Sequence, residues 1–127
     1  MQIVAALFAD DLDVRPVPGP STRLDLKGIK FSEAAPGFPV TVEPHLFVIV
    51  RCAAEDDPNG VLEVRYLRDG EQVARNVQPL QIEPGKFNYR LVRAELDFEG
   101  PGTVAAHCSI DRGDPVVVPF TVLAPVS

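Results

Sequence analysis

The sequence predicts an all-β fold, a two-layer antiparallel β-sandwich of about seven or eight strands, and three observations carry that prediction. Thirteen prolines and nine glycines cut the chain into short segments. No window holds the uninterrupted i, i+3, i+4, i+7 apolar pattern of a helix. Runs of Val, Ile, Leu and aromatic residues alternate instead with period two between turn residues. At 127 residues the chain has room for one domain, residues 1–127, and not for two cores. Its 46% hydrophobic and 24% charged residues are ordinary globular values.

Eight strands are expected, over residues 2–9, 22–31, 45–54, 60–68, 71–77, 86–98, 103–110 and 116–123. The first is apolar on both pleats and runs into Asp10-Asp11. In the second, Leu24 and Leu26 give way to Ile29 and Phe31 across Gly28. This phase flip signals a bulge or a strand that changes sheets. The third carries Leu46, Val48, Val50 and Cys52 in one row. The fourth sets Leu62, Val64 and Tyr66 against Glu63 and Arg65. A hairpin through Arg68-Asp69-Gly70 leads to the fifth. In the sixth, Phe87, Tyr89 and Leu91 shift phase to Val92, Ala94, Leu96 and Phe98. The seventh lines up Val104, Ala106, Cys108 and Ile110. The turn Asp111 to Pro115 then leads to a last strand with Val116, Val118, Phe120 and Val122 on one side, and Pro119 marks an edge or a bulge. Pro58-Asn59-Gly60 is expected to close a tight hairpin between the third and fourth strands. Two proline-rich segments, 11–21 and 32–44, are too long for hairpin loops and are expected to run extended across a sheet or its edge.

Composition excludes several functions. Twelve Lys+Arg against eighteen Asp+Glu give a net charge of −6, so the chain offers no phosphate-neutralising surface, and nucleic acid is not expected as a partner. The apolar opening run has no basic leader or cleavage signal and is too short to cross a bilayer, so no membrane partner is expected either. With no export signal the expected compartment is the cytoplasm, where Cys52 and Cys108 stay reduced.

The run ALFADDLDV…TRLDLKGI, followed by LFVIVRC and closing with LDFEGPGTVAAHCSIDRGDPVVVPFTV, resembles a family of small bacterial β-sandwich domains of unknown function. That family carries an early Ala/Cys-Asp pair, a Lys-Leu-x-x-x-Gly-like strand and a Pro-Gly turn before the last hairpin. The matching positions are Ala9-Asp10, Leu24 to Gly28 and Pro101-Gly102. The resemblance implies a sandwich fold and no activity. The chain also resembles the immunoglobulin pattern, with Cys52 and Cys108 spaced much as its inter-sheet bridge requires. It has no Trp, however, and Val104 stands where a tyrosine corner needs an aromatic ring.

Chemistry is thinly signalled. Both thiols fall in inward rows, which favours small buried hydrophobes over a nucleophile, with a disulfide as the alternative. His45 and His107 have no ligand-spaced partners for zinc, and His107 is expected to face solvent. Ser21, Ser32, Ser109 and Ser127 lack a glycine-flanked nucleophile context, and the Arg112-Gly113-Asp114 tripeptide lies in a hairpin turn. No enzyme and no cofactor are expected. Asp10, Asp11 and Asp13 after the first strand, Glu55, Asp56 and Asp57 after the third, and Asp111 and Asp114 in the last turn are the best small-ion candidates, a Ca²⁺ site if the end loops converge and otherwise solvated turn residues.

A surface argument completes the reading. Strands 2–9 and 45–54 are apolar on both faces, and a two-layer sandwich covers only one face of each sheet. Either segments 11–21 and 32–44 fold over the second face, or Val4, Phe8, Phe47 and Ile49 form an interface. The expected function is a non-enzymatic binding or assembly module with a protein partner or a second copy. The alternative is a sandwich binding Ca²⁺ or a small, carbohydrate-type ligand through its end loops.

Overall fold

The computed structural model describes residues 1–19 and 23–126. Pro20, Ser21, Thr22 and Ser127 lie outside the described residues, and with them the expected start of the second strand. Eleven strands form: β1 (Gln2–Arg15), β2 (Arg23–Ile29), β3 (Ser32–Ala34), β4 (Val40–Val42), β5 (His45–Arg51), β6 (Asn59–Arg68), β7 (Glu71–Gln81), β8 (Phe87–Arg93), β9 (Leu96–Phe98), β10 (Gly102–Ile110) and β11 (Val116–Leu123). They make a four-stranded sheet in the order β2-β1-β5-β8, a five-stranded sheet in the order β3-β11-β10-β6-β7, and a two-stranded piece, β4-β9. Among the described residues no helix is long and apolar enough to cross a membrane.

The all-β sandwich is the fold observed. Its facing strands, β1-β5-β8 against β11-β10-β6-β7, follow the A-B-E and G-F-C-C′ connectivity of an immunoglobulin-like sandwich. The core lies between the sheets, because the inward pleats supply one continuous set of apolar side chains. Leu46, Val48 and Val50 of β5 meet Leu62, Val64 and Tyr66 of β6, Val104, Ala106 and Cys108 of β10, and Phe120 and Val122 of β11. Phe8 of β1 joins them with its ring 5.1 Å from that of Phe120, a contact worth about 0.5–1.5 kcal/mol beyond its area. Tyr66 fills the strand position of the immunoglobulin tryptophan, fully buried, and its hydroxyl finds no partner among the described residues.

The two phase flips are places where the chain changes sheets. Across Gly28, β2 leaves the four-stranded sheet and the chain re-enters as β3 beside β11, parallel, pairing Thr121 with Ser32. The expected strand 86–98 breaks after Arg93. Its second half becomes β9, which pairs with β4 and delivers Leu96 and Phe98 to the core. Those changes, with β3 and β4 inside segment 32–44, account for eleven strands where about eight were expected.

Two of the three expected turns hold. Asp69 and Gly70 take φ of 51° and 81° between β6 and β7, and Asp111 and Arg112 take 49° and 62° between β10 and β11. The expected Asn59-Gly60 hairpin does not form. β5 and β6 belong to different sheets, so the connection crosses the sandwich, and Asn59 and Gly60 already belong to β6. Asp57 Oδ1 accepts the Asn59 backbone N–H at 2.8 Å and fixes the entry instead.

Gly28 is the one glycine on which the arrangement turns. It takes φ +65° in mid-strand opposite Asp10, and a Cβ there would lie 2.8 Å from the Asp10 Cγ. An L side chain pays for that backbone with about 1–2 kcal/mol before any clash. Gly28→Ala is therefore expected to lower the unfolding free energy by at least that amount, read from the urea midpoint. An unchanged midpoint would show that the ribbon does not need a left-handed residue.

Candidate functional site

The β1/β2 ribbon runs beyond the sheet, because β5 ends its pairing with β1 at His45–Ala9 while β2 pairs with β1 from Ala9 to Arg15. Its odd-numbered pleat is charged: Lys27 Nζ meets Asp13 at 2.6 Å and Arg15 Nε meets Asp25 at 3.1 Å, both exposed. The hydrogen bond and charge of Asp13 raise the Lys27 ammonium above its ordinary pKa. The even-numbered pleat is apolar, with Leu12 opposite Leu26 and Val14 opposite Leu24. At Phe8 the even pleat of β1 faces the core. At Leu24 and Leu26 it faces the other way, toward the outer surface of the four-stranded sheet. The ribbon turns over at Asp10–Gly28.

That outer surface is also apolar. Leu7 opposes Phe47 and Ala5 opposes Ile49 on one side of β5, while Leu91 and Tyr89 oppose them on the other. The Phe47 and Tyr89 rings lie 5.6 Å apart. Between ribbon and sheet is a cleft of about 430 Å³, walled by Leu24 and Leu26, floored by Phe47 and Ile49, and rimmed by Phe87, Asn88 and Tyr89. This volume lies within the range of small-molecule and side-chain pockets. Phe87 is 72% exposed at the rim. The β8 edge beside it is closed by its own side chains: the Tyr89 N–H donates to Asn88 Oδ1 at 2.8 Å, and Arg90 Nη1 donates to the Tyr89 carbonyl at 2.9 Å.

The four expected interface residues separate. Phe8 is corrected: it is 2% exposed and belongs to the core, because its pleat faces the opposite sheet. Phe47 is 3% exposed, covered on the outer face, and is corrected from a surface residue to the floor of the cleft. Ile49 is half-buried beside it. Val4, at the register shift between Ile3 and Ala5, is exposed and lies outside the cleft. Among the described residues, those of the expected covering segments, 11–19 and 32–44, do not by themselves cover the second face. The ribbon's Leu24 and Leu26 do so in part, while Ala35, Phe38, Val40 and Val42 pack onto the core instead.

The acidic candidates do not converge. Asp10 is paired to Lys30 at 2.8 Å and Asp13 to Lys27, and Asp11 Oδ1 accepts the Leu12 N–H. Asp56 accepts from the Met1 amino group at 3.1 Å, a hydrogen bond that holds its carboxyl below the ordinary value. Asp57 caps Asn59, and Asp111 Oδ1 accepts the Val61 N–H at 2.9 Å. Among the described residues no group of three or more His, Cys, Asp or Glu is placed to hold a metal ion. Each of these aspartates serves its own turn or ion pair in this structure. His45 opposes Ala9 and Arg93, and His107 lies half-buried on the outer face of the five-stranded sheet between Arg65 and Val117.

Cys52 and Cys108 are both buried and unbridged. Burial pushes the Cys108 thiol up to about 12, and it raises the Tyr66 phenol in the same way. The sequence reading missed Leu24, Leu26, Phe87 and Tyr89 as site residues. The alternation Phe87-Tyr89-Leu91 was its available signal, but nothing local tells that this row faces the same cleft as Leu24. No protein-family model matches the chain, and no curated protein matches it.

Two outcomes follow from the buried thiols. In the folded protein at about pH 8 neither thiol is expected to react promptly with Ellman's reagent, and both react once guanidinium unfolds the chain. Fast reaction of either in the native state would contradict their burial. The unfolded chain loses the Cys108 proton from about pH 9 while the folded chain holds it to about 12. Stability is therefore expected to fall as pH rises through that window, by at most about 1.4 kcal/mol per pH unit from this group. Urea midpoints on either side of pH 9 check the sign.

Proposed function

We propose that the protein is a non-enzymatic binding module whose binding surface is the cleft between the β1/β2 ribbon and the outer face of β5 and β8. The observation that supports this is the placing of an apolar wall, Leu24 and Leu26, over a floor of Phe47 and Ile49, with Tyr89 at the rim and Phe87 left projecting at the mouth. A sheet face that served only as structure would gain by closing that gap, since an exposed aromatic ring forgoes about 1.5–3 kcal/mol of burial. The cleft suits an apolar side chain or ring offered by a partner protein, with desolvation of the aromatic residues as the source of affinity. Catalysis is not part of this reading, because His45 and His107 stand on different sheets. A small ring-shaped ligand in the same cleft is the second reading, favoured by Asn88 beside Phe87 and Tyr89, which gives one polar group among aromatic faces.

The test places a photoreactive phenylalanine analogue at Phe87 and, in a separate variant, at Val73 on the outer face of β7. A cross-linked product obtained from position 87 and absent from position 73 supports a partner seated at the cleft. Equal labelling from both positions, or none from 87, overturns it.

A further inference from the structure

The outer face of the five-stranded sheet holds a small polar pocket. Ala106 and Cys108 of β10 and Val64 and Tyr66 of β6 point into the core, so His107 and Ser109, Glu63 and Arg65 point outward. The register sets His107 beside Arg65 and Ser109 beside Glu63. With Arg112 from the β10–β11 turn they line a pocket of about 220 Å³, the volume of roughly seven water molecules. Ser109, 9% exposed, is the one buried polar residue among the described residues. Its register neighbour Glu63 is taken by Arg75, whose Nε and Nη2 reach Oε2 at 2.8 and 2.6 Å. Among the described residues the side chains of Ser109, His107 and Arg112 have no hydrogen-bond or ion-pair partner, and Arg65 uses only Nε, which donates to Gln72 Oε1 at 2.9 Å. A buried hydroxyl without a partner is costly, and here unmatched donors from three parts of the chain line one space.

Arg112 stands in a strained place. The Gly113 N–H donates to the Ile110 carbonyl at 2.8 Å across a turn whose central residues, Asp111 and Arg112, both have positive φ, a type I′ turn. Gly, Asn and Asp take such positions readily, Gly for want of a Cβ and the other two through their short polar side chains. The other positive-φ residues without this freedom of glycine are both aspartates, Asp69 and Asp111, and Asp111 Oδ1 secures the turn by accepting the Val61 N–H. Arg112 is the one long side chain in that conformation among the described residues, and it secures nothing in its own turn. What it supplies is a guanidinium in the lining of the pocket. Backbone strain kept where glycine would relieve it is characteristic of functional positions.

We propose that this pocket binds one phosphate-type oxyanion, free or as the monoester of a small molecule, held by the guanidinium groups of Arg65 and Arg112, a His107 ring N–H and the Ser109 hydroxyl. All four side chains are donors, and Arg65 and Arg112 carry full charge with planar forks suited to oxyanions. Among the described residues the only carboxylate in the lining is Glu63, whose charge Arg75 already offsets, so the local field is positive. The chain's net charge of −6 acts against a polyanion, which would meet acidic surface beyond the pocket. A single small anion is different, because exposed charges farther away than a Debye length of about 8 Å are largely screened. Shape selects the class. Donors arriving from β6, from β10 and from the turn suit oxygens that diverge in three dimensions, whereas a planar carboxylate is satisfied by one arginine fork. The pocket and the cleft of Phe87 lie on different sheets, so the two proposals stand or fall independently.

Amide NMR titrations of the full chain at about pH 7 and constant ionic strength test it, with inorganic phosphate, methyl phosphate and acetate as separate probes. Phosphate is expected to give saturable shifts centred on residues 63–65 and 107–113. Arg112→Gly and Arg65→Gln are each expected to weaken binding by about tenfold or more, the loss of a charge-assisted hydrogen bond. Arg112→Gly is also expected to keep or raise the melting temperature measured without phosphate, since glycine suits the turn, so its lost binding is not lost folding. Arg23→Gln, on the β1/β2 ribbon, is expected to bind as the wild type does. Methyl phosphate separates the two sources: binding as tight as phosphate assigns the site to a small phosphate ester, and rejection assigns it to the free ion. Shifts that stay linear in phosphate or that sodium chloride reproduces overturn the proposal. So does wild-type affinity in Arg112→Gly and Arg65→Gln, or acetate binding as tightly as phosphate.

Discussion

The crossing of the chain from one sheet to the other, between Gly28 and Ser32, is the constraint on which the rest of the structure depends. Lys30 and Phe31 alone connect the last β2 residue, Ile29, to the first β3 residue, Ser32, and so carry the chain across the side of the sandwich to β11. Gly28 supplies the left-handed turn, and Asp10 occupies the space its missing side chain leaves. Lys30 ties the crossing down. Its backbone N–H bonds the Phe8 carbonyl, its ammonium pairs with Asp10, and its stem passes over the Phe120 ring, with Nζ 5.8 Å from the centroid. Phe31 then hands its carbonyl to Thr121. The ion pair is partly solvated and contributes little by itself. The stacking of Phe8 on Phe120 beneath it gives the crossing a fixed foundation.

Two surface features are consequences of this crossing. On one side of it, the ribbon turns over at Asp10–Gly28 and brings Leu24 and Leu26 above Phe47 and Ile49, which makes the cleft. On the other side, the chain departs before β1 and β11 have been fully paired, which leaves residues 2–7 of β1 and Val116 to Pro119 of β11 without a strand neighbour on that side among the described residues.

The core was largely legible in the chain, because inward positions follow from alternation alone. Leu62, Val64 and Tyr66, the row ending in Cys52, and the row containing Cys108 all face inward as their spacing requires. The phase flips at Gly28 and Leu91–Val92 were legible as irregularities, since an apolar row that changes parity must either bulge or change partners. What they became was not legible. That β9 pairs with β4, or that β3 runs parallel to β11, depends on which strand lies nearest after the sandwich has closed, and such neighbours are distant in sequence. The Asn59-Gly60 turn failed for a related reason. Its chemistry suits a hairpin, but β5 and β6 sit in opposite sheets, and the longer crossing overrides the local preference.

The sequence by itself determined an all-β chain with one core, its inward rows, two left-handed hairpin turns and an acidic net charge. Those properties depend on nearest neighbours and on side-chain polarity, which each residue carries wherever it goes. Tertiary structure alone decided that Phe8 is core while Phe47 floors a cleft, although both belong to doubly apolar strands. It also decided that the aspartates after β1 and β5 are parted into separate ion pairs and turn caps, and that Phe87 meets Leu24 across a gap. Each of these outcomes is set by the distance between chain segments after folding, and alternation along a strand fixes the face of a side chain without fixing what stands opposite it.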